Sequence, residues 1–122
     1  MKPFEARILH VDDSEIARKK VAEAANDIGA CVVGSAASFE EAKEALERVG
    51  ELEVNIILTD DSLSEDRPYE GRYVYDIAHE QYPDVHVLSV SGGTSMSVAL
   101  GIPHVTDKGT NPITLKAAIE NL

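Results

Sequence analysis

Four apolar stretches of this chain end on groups that can do chemistry. "RILHVDDSE" closes on Asp12 and Asp13, and "VNIILTDDSL" on Asp60 and Asp61. "VLSVSGG" closes on Ser91 and two glycines, and "IPHVTDKG" on Lys108. Carboxylates gathered in one place repel, and one of them protonates unless a cation intervenes. Mg²⁺ suits such a place: it is a hard ion that takes oxygen ligands, often one or two carboxylates with water and a substrate phosphate. Lys108 offers a point positive charge to a phosphoryl oxygen. Ser91 offers a hydroxyl donor, and Gly92 and Gly93 leave space beside it. A carboxylate can itself be the nucleophile in phosphoryl transfer.

Each group also has a plainer use. Asp12 and Asp13 could cap a helix, Ser91 could sit in a turn, and Lys108 could be a surface lysine. Asp61 should face away from Asp60, because successive side chains alternate along an extended chain. The chemical reading therefore needs the four runs to be strands that end at one edge.

The order of elements provides such an edge. The strand candidates are "RILHV", "ACVVGSA", "VNIIL", "VHVLSV" and a short "IPHVT". The first helix, "SEIARKKVAEAANDIG", places Ala17, Val21, Ala24, Ala25 and Ile28 at helical spacing, with Gly29 at its end. The next, "SFEEAKEALERVG", has a Ser38/Glu41 capping-box pattern, an apolar face of Phe39, Ala42, Leu46 and Val49, and Gly50 as its stop. "GRYVYDIAHEQY" turns Val74, Ile77 and Ala78 inward before Pro83. "TSMSVAL" reads as a short helix, and "PITLKAAIENL" starts on Pro112 with Leu115, Ala118, Ile119 and Leu122 on one face. Strands alternating with helices predict an α/β domain, its parallel sheet covered on both faces. In such sheets ligands bind beyond the carboxyl ends of the strands.

The totals narrow the options. The 122 residues fit one domain, expected to span 1–122, and 43% of them are apolar, enough for a single core. A net charge of −11 repels nucleic acid and anionic lipid, so neither is an expected partner. Cys31 is the only cysteine, so no internal disulfide can form, and its place in "CVV" predicts a core residue. No run reaches the ~18 apolar residues of a membrane span, and a cytoplasmic protein is expected. The four histidines have no ligand spacing and read as core or surface residues. Arg18, Lys19 and Lys20 read as a solvated helix face. "GGTSMS" lacks the lysine and spacing of a P-loop.

With these elements in order, the sequence resembles a receiver domain of two-component response regulators, over about residues 6 to 121. The resemblance implies a flavodoxin-like, doubly wound five-stranded parallel sheet of order 2-1-3-4-5. It implies that Asp60 is the phosphorylated aspartate, Asp13 a direct Mg²⁺ ligand, and Asp12 an acid that holds the metal through water. The backbone carbonyl of Ser62 would complete the metal site. Ser91 would follow the phosphate and Lys108 would pair with it. The implied donor is a phosphohistidine on a sensor histidine kinase or phosphotransfer protein, and the implied result is a switch in binding to a downstream protein.

Several departures accompany the resemblance. The loop "SLSEDRPYEG" is enlarged, with Ser64 at a usual proline and Gly71 about three residues late. Ser91 and Lys108 are 17 positions apart, which leaves little room for a fourth helix. Val105, after His104, stands where an aromatic switch residue is usual, and Gly109 stands where a proline is usual. Asn55 replaces the usual acidic residue opening the third strand. The reading that follows is a phospho-accepting switch without an attached output domain, or a receiver cut from a larger protein. The alternatives are a pseudo-receiver that signals without phosphate, and a flavin carrier or phosphatase on a flavodoxin-like scaffold.

Overall fold

In the computed structural model, residues 1–60, 70–90, 104–105 and 109–122 are described. Five strands form one sheet: β1 (Arg7–Val11), β2 (Cys31–Ala36), β3 (Ile56–Asp60), β4 (His86–Val90) and β5 (His104–Val105). Their order is β2-β1-β3-β4-β5, and every neighbouring pair is parallel. The helices are α1 (Glu15–Asp27), α2 (Phe39–Leu46), the short α3 (Val49–Leu52), α4 (Glu70–Gln81) and α5 (Pro112–Glu120). The expected doubly wound architecture is present, with a fifth strand of only two described residues.

Strand alternation divides the core into two layers. Ile8, Ile56, Leu58, Leu88 and Val90 pack with Val21, Ala24 and Ala25 of α1 and with Leu115 and Ile119 of α5. Leu9, Val11, Ile57 and Val87 pack with Ala42 and Leu46 of α2, Val49 of α3, and Val74 and Ala78 of α4. All five β3 residues are buried, as its continuous apolar run requires.

Local chemistry sets the helix ends. Ser14 Oγ accepts from the Ala17 amide at 3.2 Å, and Ser38 Oγ from the Glu41 amide at 3.2 Å, caps worth about 1 kcal/mol each. Glu41 completes the capping pattern one residue early, accepting from the Ala37 amide at 3.3 Å. Gly50 does not stop the second helix as expected. The chain breaks after Leu46, re-forms as α3, and ends at Glu53 in the left-handed region, with φ 56°. Cys31 also departs from expectation, being exposed. It opens an edge strand, where an apolar neighbourhood in sequence does not guarantee cover.

Candidate functional site

β1 and β3 pair with Val11 opposite Thr59, so Asp12, just past β1, and Asp60, the last residue of β3, come to the same edge of the sheet. Asp12 is fully buried and Asp60 is 6% exposed, while Asp13 is exposed. One carboxylate oxygen from each of Asp12, Asp13 and Asp60 lies within 4.8 Å of the others. Three acids at that spacing repel, and an oxygen-only donor set fits a hard divalent cation.

Asp12 is held from several sides. Its amide donates to the Ala36 carbonyl of β2 at 3.0 Å. Its Oδ1 accepts from the Ser14 amide at 2.8 Å. Its carbonyl accepts from Arg18 Nη1 at 2.6 Å. His10 is 1% exposed, two residues earlier on the same face of β1, and its Nε2 lies 3.8 Å from Asp12 Oδ2. Ser14, not either aspartate, caps α1, so helix capping does not account for Asp12 or Asp13. Sequence reasoning left Arg18 on a solvated face and His10 without a site. For His10 the signal was there, since positions 10 and 12 share a strand face.

No protein-family model and no curated protein matches the chain. Solved structures do. The chemotaxis protein CheY4 of Vibrio cholerae matches at 26% identity and TM-score 0.70, over 95% of this chain and 97% of that one. A CheY-like response regulator receiver domain from Methanospirillum hungatei matches at 25% identity and TM-score 0.74, over 95% of this chain and 91% of that one. The chain has the fold of a response regulator receiver domain. The anti-anti-sigma factor PhyR of Bartonella quintana matches at 19% identity and TM-score 0.68 over 93% of this chain, which spans 45% of that protein.

On the receiver fold, Asp12, Asp13 and Asp60 come together as the sequence predicted. Asp61, Ser62, Ser64, Ser91, Gly92, Gly93, Lys108, most of the enlarged loop and the expected "TSMSVAL" helix lie outside the described residues. Gly71 falls in the first turn of α4. Three departures from the usual receiver pattern fall on described residues: Val105, Gly109 and Asn55. Val105 is 2% exposed and packs in the layer under α1 and α5. Gly109 has φ +73°, a conformation closed to proline, whose ring fixes φ near −65°. A β-carbon there would meet Val90, Val105 and Val21 at 3.7–3.8 Å, an ordinary contact. Backbone conformation, not space, therefore makes this position glycine.

The third departure is structural in purpose. Asn55 Oδ1 accepts from the Arg7 amide at 2.8 Å, while its Nδ2 donates to the Glu5 carbonyl at 2.7 Å. A carboxylate could do the first but not the second. The amide ties β1 to β3 at the end of the sheet opposite the acids.

Proposed function

We propose that this chain is a phosphoacceptor switch: Asp60 takes a phosphoryl group from a phosphohistidine of a sensor histidine kinase or phosphotransfer protein. The observation that carries this reading is the convergence of the Asp12, Asp13 and Asp60 carboxylates within 4.8 Å at one sheet edge of a receiver fold. A carboxylate oxygen of Asp60 attacks phosphorus, the phosphorus–nitrogen bond breaks, and the imidazole leaves with the electron pair. The product is an acyl phosphate. Rigid β3 holds the nucleophile in place, which supplies orientation rather than new chemistry.

Asp12, Asp13 and Asp60, with the Ser62 carbonyl, would hold Mg²⁺, which when bound offsets charge on the phosphoryl oxygens. Lys108 pairs with the phosphate and Ser91 donates to it. The added charge of about −1.5 to −2 draws these two groups inward and biases a surface toward a downstream protein. The chain is thus a regulator and not an enzyme acting on a separate substrate. Among the described residues, no helix is long and apolar enough to cross a membrane.

A second reading, a pseudo-receiver that binds a partner without phosphate, draws support from buried Val105 at the aromatic switch position and from Gly109. One experiment separates the two. The protein is incubated with Mg²⁺ and a small phosphodonor, and the intact chain is weighed. The switch reading expects one added phosphoryl group, absent from Asp60→Asn and from samples with a chelator. No adduct from any donor or histidine kinase would leave the pseudo-receiver.

A further inference from the structure

Arg18 is the fourth residue of α1, in the first turns of a helix. A cation is misplaced there, because the amino end of a helix already carries partial positive charge. Something must offset that penalty. Arg18 is only half-buried, yet its guanidinium reaches back over the β1–α1 turn to the Asp12 carbonyl at 2.6 Å. The same turn holds the Ser14 amide on Asp12 Oδ1 at 2.8 Å. Asp13 lies between these two fixed points, and its carboxylate is exposed. Being exposed, Asp13 depends on the turn backbone for its aim.

We propose that Arg18 is a positioning residue: its hydrogen bond to the Asp12 carbonyl pins the β1–α1 turn and so aims the Asp12 and Asp13 carboxylates at Asp60. The role rests on the cation-site reading above. It sets two effects of opposite sign against each other. As a charge, a guanidinium on the same turn lowers the acids' affinity for a cation. As a clamp, it lowers the conformational cost of gathering them. The clamp dominates, because the exposed Asp13 has the most freedom to lose and the guanidinium is held on the Asp12 carbonyl rather than on a carboxylate.

The sign makes the test decisive. Arg18→Met keeps the aliphatic stem and helix propensity but removes the donors. Lys19→Met removes an equal charge one residue away on an exposed position, which isolates the charge effect. Mg²⁺ affinity is measured by titration calorimetry, and exchange of the Ser14 amide by NMR on metal-free protein. Arg18→Met should weaken Mg²⁺ binding about 10-fold, the scale of outer-shell losses at metal sites. It should also speed Ser14 exchange. Lys19→Met should leave both within about two-fold, and Arg18→Lys should recover part of the affinity. Unchanged or tighter Mg²⁺ binding in Arg18→Met, or unchanged Ser14 exchange, overturns the role while leaving the site reading intact. Wild-type protein that binds no Mg²⁺ overturns the site reading and the role with it.

Discussion

The two ends of the sheet use polar groups in opposite ways. At the amino end every polar group named finds a complement. Asn55 bridges the Arg7 amide and the Glu5 carbonyl, and the Arg7 guanidinium donates twice to the Leu52 carbonyl, at 3.1 and 3.0 Å. At the carboxyl end three acids are brought within 4.8 Å. One end closes β1 onto β3, and the other spends some of the resulting rigidity on holding like charges together. Like charges gathered in this way are what the proposed cation site would require.

The contrast makes its largest demand on added metal. If the carboxyl end is a cation site, Mg²⁺ at 100 times its dissociation constant stabilises the folded chain by about 2.7 kcal/mol. The urea midpoint should rise with Mg²⁺ and fall again with a chelator. A midpoint that ignores millimolar Mg²⁺ would mean the acids are merely tolerated.

Next in size is the amino end itself. Asn55→Ala removes two hydrogen bonds and leaves the partly buried Arg7 amide without its acceptor. The expected loss is about 2 kcal/mol, read from the urea midpoint. Asn55→Asp keeps the acceptor and loses the donor, so it should cost about half as much. Neither change should move Mg²⁺ affinity more than about two-fold, because both lie at the far end of β3. A large shift in affinity would show that the two ends are not separate.

A third change should alter sign with conditions. Asp13→Asn removes one of three mutually repelling charges, so in metal-free buffer it should stabilise the chain by about 0.5–1 kcal/mol. In saturating Mg²⁺ the same variant loses a ligand and should become less stable than the wild type. Paired urea titrations with and without metal measure both signs. Stabilisation in both conditions would remove Asp13 from the cation site.

These ends were unequally legible in the sequence. The acids could be found because buried parallel strands read as continuous apolar runs, and parallel strands deliver their ends to one edge. β3 is buried at all five residues, so its end at Asp60 was plain. What sequence left hidden depends on contacts that periodicity does not encode. Cys31 sits in an apolar run but opens an edge strand and is exposed. Arg18 binds a carbonyl six residues back across a turn. Asn55 looked like a lapse from an acidic pattern, although its carboxamide makes two bonds of opposite polarity.

The smallest expected effect tests whether strain at the amino end matters to the other. Glu53 ends α3 with φ 56° and ψ 41°, while the Val54 amide donates back to the Val49 carbonyl at 3.0 Å. This is the helix ending that glycine favours, because a β-carbon in the left-handed region costs about 1–2 kcal/mol. Glu53→Gly removes that cost but adds about 0.5–1 kcal/mol of unfolded-chain entropy. The net should be a gain of about 0.5 kcal/mol in unfolding free energy, read from a raised urea midpoint. Glu53 is exposed and precedes Asn55 by two residues, so relief there should leave the acids and their Mg²⁺ affinity unchanged. A stability gain with altered affinity would mean that strain travels along β3 to Asp60, and the two ends would then have to be treated as one device.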